Sequence, residues 1–174
     1  APLSFEVESR GIIKGDNGEL KAGKEMNGAE WACMAARGIL GEKEVTDAST
    51  APVPGVADGG LAWARPCMNA LAEAGVSLPD VFERPLNMPV MRADAAELVF
   101  QLKRDDLDRP ANQTEAFEGL KDFSTVSTLT PGEQEAMGVM RHVGILEGKN
   151  DGTVLAPNDT LLKIEGGKLV NELL

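Results

Sequence analysis

One stretch of this chain is written three times. The segments "GIIKGDNGELKAGKEMNGAEWACMAARGIL" from Gly11, "GVSLPDVFERPLNMPVMRADAAELVFQL" from Gly75 and "GILEGKNDGTVLAPNDTLLKIEGGKLVNELL" from Gly144 share one plan. Each opens on Gly-aliphatic, passes a turn-rich middle and reaches an acidic residue at the head of an apolar helix. The interval from glycine to acid is 19 residues for Gly11 to Glu30, 19 for Gly75 to Asp94 and 21 for Gly144 to Glu165, the extra length falling at the "GKNDG" turn. Such recurrence constrains the fold strongly, because a unit of this size cannot bury its apolar face alone and must share a core with its copies.

A further helix is predicted upstream of each glycine. "TPGEQEAMGVMRHVG" carries Thr130 as cap, Pro131 at the first helical position and Glu133 as the reciprocal capping partner. "WARPCMNALAEAG" places Met68, Leu71 and Ala72 on one face and stops at Gly75, suited to a left-handed C-cap. In the first copy only "SFEVESRG" corresponds, so that helix is short. The polar, proline-containing stretches 43–54 and 103–118 read as surface linkers. The chain is therefore expected to be mainly α, with helix-loop-helix repeats at 1–42, 55–102 and 119–174 forming one compact unit.

Composition limits the partners. The 174 residues include 17 basic and 28 acidic ones, a net charge of −11 that opposes a polyphosphate, so nucleic acid is not an expected partner. No apolar run is long enough to span a bilayer, and "APLSFEVESRG" lacks the marks of a signal peptide. The two cysteines, Cys33 and Cys67, sit in predicted helices at no metal-ligand spacing. They read foremost as small buried apolar residues, with a bridge between them as the alternative.

Catalytic chemistry finds little to stand on. His142 is the only histidine, and no Gly-x-Ser-x-Gly elbow exists, so no nucleophile and base pair is expected. Glu30, Asp94 and Glu165 are read as helix-head carboxylates serving caps and dipoles rather than as glycosidase acids. "GDNGE" (15–19) and "KNDGT" (149–153) are turn formers that lack the terminal glutamate of a calcium loop, so no metal or other cofactor is expected. Asn112 and Asn158 fit the glycosylation triplet, a short pattern with a high chance rate. Trp31 is expected in the core.

The three copies resemble the surface-layer homology (SLH) domain. "GVADGGLAWARPCMNALAEAGV" resembles that module's opening helix, "GILEGKNDGTVLAPND" its Gly-rich turn, and "MRADAAELV" is similar to the Thr-Arg-Ala-Glu signature heading its second helix. The resemblance implies three modules in a pseudo-threefold arrangement around a central helical bundle. Their inter-repeat grooves would hold a cell-wall polysaccharide, often bearing a pyruvate ketal, on the bacterial cell surface. Trp63 and Arg92 match the family's aromatic and arginine positions, and Lys163 stands at the arginine position of the third copy, where the first has Gly28. The threonine position is held by Asn27, Met91 and Leu162, and the chain has no tyrosine. Arg92, Trp63 and Lys163 are thus the candidate carbohydrate contacts. The competing reading is a degenerate array that has lost sugar affinity and serves self-association or surface-layer assembly.

Overall fold

A computed structural model of the chain describes residues 23–174. The helix expected at "SFEVESRG", Gly11 and the turn expected at "GDNGE" lie outside the described residues. Among the described residues the chain is mainly helical and has no strand. The helices are α1 (Gly28–Ala35), α2 (Glu42–Thr46), α3 (Arg65–Glu73), α4 (Leu78–Val81), α5 (Arg92–Lys103), α6 (Gln113–Ala116), α7 (Phe123–Val126), α8 (Pro131–His142) and α9 (Lys163–Glu172). They form two compact units: the described residues through Val90 with Thr160–Leu174, and Met91–Asp159. The two helices of the second repeat, α3 and α5, fall in different units, as do α8 and α9 of the third.

Local chemistry sets the helix ends where the sequence places them. Asn27 Oδ1 accepts from Glu30 N at 2.8 Å while Glu30 Oε1 accepts from Asn27 N at 3.0 Å, a reciprocal cap on α1. Thr130 and Glu133 form the same cap on α8, with Pro131 at its first position. Glu165 Oε1 accepts from Leu162 N at 2.9 Å at the head of α9. Helices α3 and α8 both end on a left-handed glycine, Gly75 at φ 98° and Gly144 at φ 80°. In each case two bonds close the end, Val76 N to Leu71 O with Gly75 N to Ala72 O, and Ile145 N to Met140 O with Gly144 N to Arg141 O. That pairing satisfies carbonyls the helix leaves open, at a φ that costs glycine alone nothing.

The first unit is built on α1. Trp31, Ala32 and Ala35 on this helix are wholly buried, as are Cys67 and Leu71 on α3 and Val170 on α9. Ala72, expected on the inner face of α3, is exposed; the buried set is Cys67, Met68, Ala70 and Leu71, which centres the face on the Cys67–Leu71 side. Cys33 of α1 and Cys67 of α3 are joined by a disulfide with Cα atoms 5.0 Å apart. Buried free thiols were the leading expectation, and the structure corrects it. The packing of α1 on α3 brings the two positions together, which a separation of 34 residues does not disclose.

Three residues that precede the caps of α1, α5 and α9 form a closed ring of backbone hydrogen bonds in this unit. Met26 N donates to Leu161 O (3.0 Å), Leu161 N to Val90 O (2.9 Å) and Val90 N to Met26 O (2.9 Å). The helix starts repeat one another too. Gly28 N donates to Met88 O and Ala29 N to Leu86 O; Arg92 N donates to Asp159 O and Ala93 N to Pro157 O; Lys163 N donates to Lys24 O. Each acceptor lies four or six residues before the first residue of the next copy's helix, the third returning to the first. Amide groups that every helix N-terminus leaves open are thereby satisfied by the same device three times.

The second unit packs α5 against α8. Phe100, Ala136 and Val139 form a buried cluster with Leu107 against it, and Leu98, Val99, Met137 and Met140 are buried alongside. The segments expected as plain linkers carry short helices of their own. Val45 and Ala48 are buried in 43–54, and Ala116 and Phe117 in 103–118, so single apolar residues anchor otherwise polar stretches. Asn112 Oδ1 caps α6 through Glu115 N at 2.9 Å.

Candidate functional site

Arg92 is the first residue of α5 and belongs to the second unit. Its side chain is buried, 5% exposed, and its Nε donates to Leu155 O at 3.0 Å. The loop that supplies this carbonyl is held by a residue the sequence reading missed. Asp122 accepts from Leu155 N at 3.1 Å through one carboxylate oxygen and from Ala156 N at 2.9 Å through the other. Ala156 sits at φ 50°, a left-handed conformation that an alanine adopts only at a cost, and the Asp122 carboxylate fixes it there. Before Pro157 the chain must turn, but nothing in "KDFS" announces the partner 33 residues on.

Lys163 heads α9 in the first unit and is likewise buried, 7% exposed. Among the described residues only Arg92, Glu97 and Lys163 are charged and buried. A cation in the first turn is opposed by the positive end of the helix dipole, so these two placements are not what helix formation alone would select. An acid follows two residues later in each case, Asp94 and Glu165. The corresponding position in the first copy is Gly28. A Cβ there would come within 3.2 Å of Leu86 Cδ2 and 3.4 Å of Leu86 Cα and Phe82 Cδ1, so this copy has little room for a long cationic side chain.

Trp63 lies in the first unit, in the turn Ala62–Ala64 that leads into α3, and is 54% exposed. Trp31, by contrast, is wholly buried. Just before Trp63, the Asp58 carboxylate accepts from Arg65 Nη2 at 2.8 Å and Nε at 3.0 Å, and from Gly60 N at 3.0 Å. The Arg65 guanidinium, and after it the Gly60 amide, hold the Asp58 carboxyl below its ordinary range. A lowered carboxylate pKa favours the folded state above the ordinary Asp value of about 3.9, and that contribution fades as pH falls through the folded-state pKa. A carboxyl-carbon NMR titration is expected to place the Asp58 midpoint below the ordinary value, and Arg65→Met to return it toward that value.

Asp94, Glu97 and Glu133 bring carboxylate oxygens within 4.8 Å of one another in the second unit. Oxygen donors of this kind suit a hard cation. The heads of α5 and α8 also gather acids for dipole and capping reasons, and Glu133 accepts from Thr130 N and Oγ1. His142 is exposed at the end of α8. The "KNDGT" segment is a hairpin turn, with Asn150, Asp151 and Gly152 all left-handed between the paired Lys149 and Val154.

No protein-family model matches the chain, and no curated protein matches it. Among the described residues no helix is long and apolar enough to cross a membrane.

Proposed function

We propose that the chain is a non-catalytic, cell-envelope anchoring module that binds a cell-wall polysaccharide in grooves between three SLH-like repeats, outside the bacterial cell. The observation that carries this reading is the pair of buried cations, Arg92 and Lys163, in the first turns of α5 and α9, at positions the repeat makes equivalent. Burial at the amino end of a helix joins a fixed charge to the positive end of the helix dipole, a combination matched to an anion such as a ketal carboxylate. The ring through Met26, Val90 and Leu161 supports a pseudo-threefold arrangement of the copies, since each contributes to it the residue before its helix cap. Trp63, exposed in the turn that leads into α3, offers an apolar face to a sugar ring. The disulfide supports an oxidising, extracytoplasmic setting.

A second reading, an assembly module without sugar affinity, draws on one fact. Arg92 Nε is engaged by Leu155 O, so part of the guanidinium has a structural task. Retention on purified wall sacculi, with and without their secondary polysaccharide, separates the two. The anchoring reading expects retention to need the polysaccharide, to fall about tenfold or more in Arg92→Ala, and to be partly kept in Arg92→Lys. Retention indifferent to both treatments in a folded variant overturns the sugar-binding reading and favours the assembly reading.

A further inference from the structure

The second unit holds an open cleft of about 460 Å³ between the stretch Arg109–Phe117 and helix α8. Its size falls in the range of about 300 to 1,000 Å³ typical of small-ligand sites. It exists because Gly138 lets the chain approach α8 closely: a Cβ on Gly138 would stand 3.1 Å from Ala116 Cβ and 3.3 Å from Phe117 Cζ. Phe117 and Val139, both buried, give the cleft an apolar floor.

The rim is polar and fixed. Arg109 lies 4.8 Å over the Phe100 ring, donates from Nη1 to Glu135 Oε1 at 2.8 Å, and donates weakly to Arg104 O at 3.5 Å. Gln134 donates to Leu129 O at 2.9 Å and to Ser127 O at 3.3 Å, which orients its carbonyl to accept from Gln113 Nε2. Asn112 uses its side-chain oxygen on the α6 cap, which leaves its amide nitrogen as a donor, and Gln113 retains its carbonyl oxygen as an acceptor.

These features exclude most ligand classes. The single cation of the lining, Arg109, is matched by Glu135, and the chain carries −11, so an anion finds no net attraction. A pure hydrocarbon would strip water from the amide and carboxylate rim without replacing its hydrogen bonds. What fits is an uncharged ring with hydroxyls for the Arg109–Glu135 wall, an amide for Asn112 and Gln113, and a methyl group for the Phe117 and Val139 floor.

We propose that this cleft binds an N-acetylated hexosamine unit. None of its residues is shared with the Arg92, Trp63 and Lys163 reading, so each can fail without the other. The test is a titration of the ¹⁵N-labelled protein with N-acetylglucosamine and its β1,4-linked disaccharide, and in parallel with glucose and cellobiose, which lack the acetamido group. The N-acetylated probes are expected to shift the side-chain amides of Asn112 and Gln113 and the backbone of 110–117. Dissociation constants on the order of 1 mM suit a small ligand in an open cleft. Glucose and cellobiose should bind about fivefold or more weakly. Gln113→Ala and Glu135→Gln, both at exposed positions, are each expected to weaken binding at least threefold with unchanged circular dichroism. Equal response to the two sugar pairs, no response at these amides, or undiminished binding in both folded variants overturns the proposal.

Discussion

Replacing Trp31 with alanine is expected to cost about 3 to 5 kcal/mol, the range for emptying a large aromatic site in a core. Trp31 has no exposed surface and lies on α1, the helix around which the first unit is built. Its partner across the interface is a glycine: a Cβ on Gly166 of α9 would stand 3.0 Å from Trp31 Cζ3 and 3.0 Å from Met26 Sδ. The indole therefore occupies space that a larger residue at 166 would claim, and its removal leaves a cavity that neither backbone can close. Gly166→Ala alone should be destabilising, because the ring has to move by a few tenths of an ångström. In the Trp31→Ala background the same added methyl enters the void, so the double variant is expected to be more stable than the sum of the two single losses predicts. Urea unfolding of the four proteins measures this coupling, and strict additivity would show that the two positions do not share the packing described.

Loss of the Cys33–Cys67 bridge is the second large effect. The disulfide closes a loop of 34 residues, and the chain-entropy relation for a loop of that size gives about 4 kcal/mol at 25 °C. Both cysteines are buried, so Cys33→Ala/Cys67→Ala keeps small apolar side chains in place and isolates the cross-link from the packing. The double variant and the wild type treated with reductant under denaturing conditions should both unfold at clearly lower urea than the oxidised wild type. The native protein should show no alkylation by a thiol reagent after unfolding without reductant. Alkylation of both residues under that condition would mean that the bridge is absent in solution, and with it the support it lends to an extracytoplasmic location.

Much of the helical outline was legible in the residues. Asn27 with Glu30, Thr130 with Glu133, Pro131, and the glycines at 75 and 144 act within four or five residues of chain, so their chemistry is local and reads directly as caps and stops. The burial of Trp31 and the helix at 130–142 followed from the same short-range logic. Three residues at the candidate sites were not legible. Asp122 acts on Leu155 and Ala156, over 30 residues away, and Glu135 meets Arg109 across 26. Phe117 looked like part of a polar linker, yet Gly138 on another helix gives it a place to be buried. Of the residues singled out for carbohydrate, Arg92, Trp63 and Lys163 came from matching the chain to the arginine and aromatic positions of the family it resembles, which does not disclose that the two cations are buried while the indole is exposed.

The amino-acid sequence by itself determined where helices begin and end and that the chain is mainly helical, because capping, glycine stops and apolar spacing are properties of neighbours along the chain. The tertiary structure alone decided that Cys33 meets Cys67, that Met26, Val90 and Leu161 exchange backbone hydrogen bonds in a ring, and that Gly138 opens α8 to the stretch beside Arg109. Each of those depends on the close approach of segments distant in sequence, which is set by how the apolar faces pack together and is written in no single stretch of residues.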